Sequence, residues 1–144
     1  MHFNTSSKKP KTQFGKADMN SYVKILVTGD RHWNDRELIQ GALLPGTGDT
    51  PPFVIHGGAR GADRIAEQVA ETFGLPCARV EANWGRLGKR AGVVRNEWML
   101  NGLQPAIVYA FHDDIAHSKG TKHCIQHALT HDIPVRLFTH QGDI

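Results

Sequence analysis

The hydrophobic pattern of the chain changes between two periods from Val23 onward. Short runs such as ILV and AIVYAF are almost continuously apolar, which is typical of strands that are covered on both faces of a sheet. Longer segments lie between these runs, and their apolar residues recur every three or four positions, as on one face of a helix. The alternation predicts βαβ units and a parallel sheet. The predicted strands cover residues 23–28, 53–56, 78–81, 106–111 and 134–138.

The clearest helical pattern covers residues 62–73, where Ile65 and Val69 share an apolar face and Glu67 lies on the opposite face. Gly74 follows directly and predicts the end of this helix. The other predicted helices cover residues 35–44, with Asn34 as the cap, 89–100 and 119–130. Together these elements predict an α/β fold of three layers, with a mostly parallel five-stranded sheet flanked by helices.

Length and charge indicate one domain with a basic extension. The 144 residues suffice for a single hydrophobic core. Residues 1–21 are polar, contain four lysines against one aspartate, and are expected to be a disordered tail before a domain at 22–140. This tail accounts for the whole net charge of +3, so we expect at most a weak, salt-sensitive contact with nucleic acid. No membrane segment or secretion signal is predicted, and the expected location is the cytoplasm.

Glycine-rich turns follow the predicted strands. The ligand cleft of an open parallel sheet lies beyond the carboxyl ends of its strands, where these turns lead into helices. The turn HGGARGAD contains Gly57, Gly58 and Gly61 within five residues and runs straight into the helix at 62–73. Bare backbone amides at such a turn can approach a bound anion, and the helix dipole favours negative charge there. The alternative is a tight turn with no ligand, which glycines also permit.

Other candidate residues lie in the same predicted loops. Arginine suits phosphate because its planar fork donates two parallel hydrogen bonds, although a basic run such as residues 86–95 also occurs on solvated helix faces. Trp84 either stacks on a base or closes a loop, and Asp63 either caps amides or binds a ligand hydroxyl. The predicted ligand-binding residues are Gly29, Arg31, Gly57, Gly58, Arg60, Gly61, Asp63, Trp84, Lys89, Arg95, Asn96, Gly120 and Thr121.

Metal, cofactor and several enzyme classes are not expected from the sequence. His123 and His127 are four residues apart but lack the acid of an H-E-x-x-H motif, so we expect no metal site and no cofactor. Cys77 and Cys124 have no C-x-x-C partner and are expected to be inert thiols. The chain contains neither a G-x-S-x-G elbow nor a P-loop motif.

As an ordered set, these motifs resemble the YspA-like branch of the SLOG superfamily over residues 23–138. The residues that carry the resemblance are VTGDR at 27–31, VIHGGARGAD at 54–63, Trp84, Lys89, Gly92, Arg95, Asn96, Met99, Gly120 and Thr121. The resemblance implies a Rossmann-like fold and a nucleotide or nucleotide-derived phosphate ligand. By analogy with relatives of this architecture we also expect a homodimer.

Two more distant resemblances leave the function open between three alternatives. Lonely Guy phosphoribohydrolases have a P-G-G-x-G-T-x-x-E motif, but Cys124 stands here in place of its glutamate, so N-glycosidic hydrolysis would need Glu97 or Asp63 as the catalytic carboxylate. Similarity to the DNA-processing protein A group implies a single-stranded nucleic-acid-binding module instead. The third alternative is a sensor or sponge that binds a nucleotide signal without turnover.

Overall fold

The computed structural model describes residues 21–44 and 50–140. Five strands form one parallel sheet in the order β3-β2-β1-β4-β5. The elements in chain order are β1 (Val23–Gly29), α1 (Arg36–Leu43), β2 (Pro52–His56), α2 (Ala62–Phe73), β3 (Cys77–Arg79), α3 (Trp84–Leu87), α4 (Ala91–Leu103), β4 (Ile107–Phe111), α5 (Gly120–Thr130) and β5 (Val135–Phe138), with short 3-10 helices at Gly88–Arg90 and Ile115–His117.

Helices cover both faces of the sheet and enclose two hydrophobic clusters. Alternation along the central strand divides its side chains between them: Ile25 packs in the cluster under α1 and α2, and Leu26 packs in the cluster under α4 and α5. Both side chains are fully buried. After the edge strand β3, the chain returns past β2 and β1 and forms β4 on the other side of β1, so the strand order reverses between β1 and β4. In folds of this kind, ligands bind beyond the strand ends near such a reversal.

The predicted fold class is confirmed, with small differences at the element ends. Helix α2 has the predicted bounds, 62–73. Asp35, not Asn34, caps α1, and its carboxylate accepts a hydrogen bond from the Leu38 amide at 3.1 Å. The helix predicted at 89–100 begins at Ala91 and continues to Leu103, and the preceding segment forms α3 and a 3-10 turn.

All of the predicted tail at 1–21 except residue 21 falls outside the described residues, as does most of the Gly- and Pro-rich stretch at 45–52, for which the sequence predicts a surface loop. The division into a tail and a domain at 22–140 therefore stays a prediction. Among the helices that the structure describes, none has the length and apolar character required to cross a bilayer.

Candidate functional site

The loops after β1 and β2 are in direct backbone contact at the carboxyl edge of the sheet. The amide of Ala62 donates to the carbonyl of Asp30 at 3.2 Å. Gly61 has a φ of +78°, and a β-carbon there would collide with the backbone of Asp30 and Arg31. Both the positive φ and the close approach require glycine at this position. The contact brings Arg31, from the first loop, beside the start of α2.

The glycine-rich turn is held from within by Asp63. One carboxylate oxygen of Asp63 accepts hydrogen bonds from the amides of Gly57 at 2.9 Å and Ala59 at 3.3 Å. The amide of Gly58 donates to His56 Nδ1 at 3.0 Å. This differs from the expected phosphate cradle, because the amides of Gly57 and Gly58 are already engaged inside the loop. Of the two uses considered for Asp63, the structure has it capping amides.

Burial dominates the electrostatics of Asp63. The residue is 6% exposed, and burial raises the pKa of its carboxyl group to about 6. The amides of Gly57 and Ala59 and the nearby charge of Arg95 oppose this increase in pKa, because they stabilise the ionised form. Burial therefore makes the ionised form of Asp63 less stable than that of an exposed aspartate, and its hydrogen bonds to the two amides hold the turn in a fixed shape.

His56, at the end of β2, is a neutral support of the same turn. It is fully buried, and burial lowers the pKa of its imidazole to about 4 despite the nearby carboxylate of Glu67. Because Nδ1 accepts the Gly58 amide, the ring proton belongs on Nε2, which lies 2.9 Å from Glu67 Oε1. Protonation of Nδ1 would place two donors face to face and break the contact with Gly58.

Arg95 reaches the turn from α4. Its Nη1 donates to the carbonyl of Gly57 at 2.7 Å and to that of Val80 at 3.4 Å, while its Nε donates to Asn96 Oδ1 at 2.9 Å. A β-carbon on residue 57 would collide with the guanidinium group. Since these acceptors are carbonyl and amide oxygens, the Arg95 charge has no carboxylate bonded to it within the described residues.

Asn96 joins this arrangement to the loop after β4. Its Nδ2 donates to the carbonyl of Gly120 at 3.3 Å and lies 3.5 Å from His123 Nδ1. Asn96 and Thr121 are both about 5% exposed. The loop after β4 is thus connected to the glycine-rich turn through Asn96 and Arg95. The two predicted ligand-binding residues that follow this loop, Gly120 and Thr121, do not line the cleft described next.

A cleft of about 340 Å³ opens where these loops meet. Three loops, the first turns of α2 and α3, and α4 contribute to its wall. Four arginines line it against one glutamate, so its charge is strongly positive. The lining residues are Arg31, Gly57, Gly58, Ala59, Arg60, Arg64, Glu81, Ala82, Trp84 and Arg95.

Two of the cleft arginines are free to bind a ligand. Neither Arg31 nor Arg60 makes a side-chain hydrogen bond or ion pair with another described residue, and both are exposed. Arg64 Nε donates to the carbonyl of Gly58 at 3.0 Å. Glu81 pairs with Arg79 at 2.9 Å, and Arg79 also pairs with Glu67 at 2.9 Å. The net result is an unneutralised cationic wall beside the N-terminus of α2.

Trp84 stands at the rim of the cleft on α3. Asn83 caps this short helix by accepting the Arg86 amide at 3.1 Å, which sets the orientation of the first turn. The indole is 60% exposed, an unusual degree for so large an apolar side chain. Of the two uses predicted for Trp84, closing a loop over the core does not agree with this exposure.

Several predicted residues lie outside the cleft lining. Gly29 allows close packing, because a β-carbon there would collide with the carbonyl of Phe111 and lie 2.7 Å from Ala62 Cβ. Lys89 is exposed in the 3-10 turn at Gly88–Arg90. Glu97 faces α5, with Oε2 4.0 Å from His123 Nε2. Their predicted roles in ligand binding or catalysis stay predictions.

The sequence interpretation missed two charged lining residues, Arg64 and Glu81. The helical pattern of residues 62–73 predicts that Arg64 lies on the polar face with Glu67, but at the first turn of the helix that face borders the cleft. Its position one residue after Asp63, at the predicted ligand edge, was the signal that could have identified it. Glu81 follows β3 and had no comparable motif around it.

Comparison with known proteins finds a family and a relative that match the part of the chain that forms this site. The sequence model of the YAcAr family, described as the YspA, cpYpsA-related SLOG family, matches residues 23–87, which include the β1 and β2 loops. The chain is 37% identical over 123 residues to the Gene 61 protein of Mycobacterium phage D29, with 80% of this chain and 95% of that protein covered.

A solved structure shows the same fold at low identity. The crystal structure of UDP-GlcNAc 2-epimerase from Neisseria meningitidis, bound to UDP-GlcNAc, superposes with a TM-score of 0.52 at 16% identity over 81% of this chain. The match covers 32% of the epimerase, so this chain spans about a third of its length. The family model that matches the segment with the β1 and β2 loops, together with the phage relative matched over 95% of its length, shows that the chain belongs to the YspA, cpYpsA-related SLOG family.

Proposed function

We propose that the protein binds a nucleotide or a nucleotide-derived phosphate ligand in the cleft at the carboxyl edge of the sheet. The observation that carries the proposal is the lining itself, in which four arginines and one exposed tryptophan surround a single opening. Guanidinium groups match phosphate oxygens, and an exposed indole offers a face to a base. Membership of the SLOG family supports a nucleotide-related ligand in general terms.

The phosphate position that the geometry favours is the N-terminus of α2. The first-turn amides of a helix have no acceptor in a preceding turn, and here the amide of Ala62 is already bonded to Asp30. The next amides, those of Asp63 and Arg64, lie at the positive end of the helix dipole beside Arg60. In this proposal Gly57 lets Arg95 approach the turn and Gly58 supplies a positive φ of +80°, and neither donates its own amide to the ligand.

The size of the cleft favours a small ligand. A volume of about 340 Å³ lies at the low end of the roughly 300–1,000 Å³ range of small-molecule pockets. A phosphate at the α2 terminus and a base against Trp84 would occupy opposite ends of this volume. We infer a mononucleotide or a derivative of similar size.

Binding without N-glycosidic turnover is the version that we favour. Asp63 is buried and its carboxylate holds the turn, while Glu97 lies outside the lining, against α5. Glu81 is the carboxylate within the lining, and Arg79 holds it. A general acid or base has to reach the reacting atom within hydrogen-bond distance, and none of these carboxylates is placed freely at the cleft.

Calorimetric titration with a panel of nucleoside monophosphates and the matching nucleosides tests this proposal. We expect monophosphates to bind and nucleosides to bind at least tenfold more weakly. Arg31→Ala and Arg60→Ala each remove a charged donor worth about 1.5–3 kcal/mol, so each should weaken binding roughly 10- to 150-fold. Arg86→Ala and Arg90→Ala, which change exposed cations outside the lining, are the matched controls.

Two results would contradict the proposal. Equal binding of nucleosides and monophosphates would remove the phosphate site. Tighter binding of a single-stranded oligonucleotide, lost with salt and weakened most by Arg86→Ala and Arg90→Ala, would favour the nucleic-acid-binding alternative. Chromatography of the same mixtures detects free base, whose release would show turnover.

A further inference from the structure

A cluster of metal-ligating side chains lies between α4 and α5, outside the cleft lining. Glu97 on α4 and His123 and His127 on α5 each place one ligand atom within 4.8 Å of the others. The two imidazole rings are one helical turn apart and nearly parallel, with centroids 5.9 Å apart. Glu97 Oε2 is 4.0 Å from His123 Nε2.

The sequence interpretation rejected a metal here because the two histidines lack an acid on their own helix. The structure supplies that acid from the neighbouring helix, since α4 packs beside α5 and turns Glu97 toward the histidine pair. Spacing within one segment could not reveal this, because the carboxylate lies 26 residues before His123 in the sequence.

One side chain of the cluster, His127, has a buried ring nitrogen, Nε2, without a hydrogen-bond partner among the described residues. A buried polar atom without a partner is unfavourable, and native proteins normally satisfy such atoms with protein, water or an ion. The orphaned nitrogen is therefore an observation, separate from the clustering, that points to a bound species at this position.

We propose that Glu97, His123 and His127 bind a divalent transition metal ion, with Zn²⁺ as the best match. Two imidazole nitrogens and one carboxylate oxygen are a donor set that suits Zn²⁺, whereas Mg²⁺ and Ca²⁺ prefer oxygen ligands throughout. Each ligand atom of a zinc site lies about 2.0–2.1 Å from the ion, which requires the three ligand atoms to be closer to one another than they are here. Because the three side chains are partly exposed, their rotation can close the site.

The proposed ion would join α4 to α5 and keep a fourth position for water. The side chains of His123 and Glu97 are 29% and 46% exposed, so solvent can reach that position. Because the three ligands come from two helices, metal binding should raise the thermal stability of the domain.

Titration of the metal-free full-length chain with Zn²⁺ or Mg²⁺, followed by calorimetry and by thermal unfolding, tests the proposal. We expect one Zn²⁺ per chain, no binding of Mg²⁺, and a higher Tm with Zn²⁺. Glu97→Gln and His127→Ala should each weaken Zn²⁺ binding at least tenfold and abolish the Tm increase. His117→Gln, which changes an exposed histidine outside the cluster, is the control and should bind as the wild type does.

Circular dichroism and the metal-free Tm check that the variants fold, and Glu97→Gln is the safer variant because this side chain is nearly half exposed. The proposal is overturned if the wild type binds no Zn²⁺ at micromolar concentrations. It is equally overturned if folded Glu97→Gln and His127→Ala bind like the wild type, or if His117→Gln loses binding as they do.

Discussion

The guanidinium group of Arg95 occupies the space where a side chain on residue 57 would begin. Arg95 Nη1 donates to the Gly57 carbonyl at 2.7 Å, and a β-carbon on Gly57 would collide with this nitrogen. The contact ties α4 to the turn after β2 and delivers a positive charge to the cleft wall. The glycine is thus explained by the approach of an arginine, and the position of the arginine depends on the glycine.

Gly57→Ala should therefore weaken both the fold and the proposed ligand binding. The added methyl group must displace an arginine that is held by three hydrogen bonds, and overpacking of this kind costs about 1–3 kcal/mol. Gly41→Ala is the matched control, because a β-carbon there meets nothing within 4 Å and Gly41 lies inside α1. We expect Gly41→Ala to raise the free energy of unfolding by about 0.5–1 kcal/mol, measured by urea unfolding. Equal effects of the two substitutions would contradict the packing argument.

Asp63→Asn should change the pH dependence of stability. The folded-state pKa of Asp63, about 6, exceeds its ordinary value of 3.8, so the folded state holds this proton more tightly than the unfolded state does. The resulting stabilisation is fully present below about pH 4 and is lost as the pH rises through 6. Between pH 4 and pH 7, the free energy of unfolding of the variant should therefore rise by about 3 kcal/mol relative to that of the wild type, measured by urea unfolding. If the unfolding free energies of the wild type and the variant depend on pH in the same way, Asp63 does not ionise while buried, and the prediction is wrong.

The pKa values of His56 and His140 are shifted in opposite directions, so the two rings should protonate at different pH. With a folded-state pKa of about 4 against an ordinary 6.5, His56 favours folding above pH 6.5, and this contribution is lost as the pH falls through 4. The carboxylates of Asp113 and Asp35 raise the pKa of His140 above its ordinary value. Ring proton chemical shifts followed by NMR should show His140 protonating first on acidification. Protonation of His56 near pH 6.5 would show that its contact with Gly58 does not hold.

Trp84→Ala should weaken the binding of a nucleotide but not of inorganic phosphate. Loss of stacking on one base costs about 1–3 kcal/mol, roughly 5- to 150-fold in affinity. Trp98→Ala is the matched control, because its indole is 54% exposed on α4 and does not line the cleft. Competition titrations with both ligands separate the two effects. If Trp98→Ala lowers nucleotide affinity as much as Trp84→Ala does, the stacking role is wrong.

The fold could be predicted from the sequence because local signals agree with the tertiary structure. Ile65 and Val69 pack against the sheet, as their period predicts, and Gly74 ends α2 as predicted. The structure adds that Gly74 does so in the left-handed conformation. The predicted cap of α1, Asn34, lies one residue before the observed cap, because Asn34 and Asp35 are both good caps and only the backbone geometry distinguishes them.

The site could be predicted only in part, because the partners of its side chains are far apart in the sequence. The motif identified the turn, and capping was one of the two uses predicted for Asp63, but the sequence does not show which amides it caps; in the structure they are those of Gly57 and Ala59. Arg95 reaches Gly57 across 38 residues, and Glu97, two positions further on, faces α5 instead. Such orientations depend on how α4 rotates against the sheet, which its weakly amphipathic sequence does not determine.

The central claim is that a phosphate binds at the N-terminus of α2, between the loops after β1 and β2. Titration of the ¹⁵N-labelled protein with a nucleoside monophosphate, followed by two-dimensional NMR, tests it most directly. We expect the largest amide shift changes at residues 60–64, with smaller changes at residues 30–31 and 81–84. Saturable binding whose largest changes lie on α5 or along residues 86–90, or spectra that do not change at millimolar ligand, would contradict the claim.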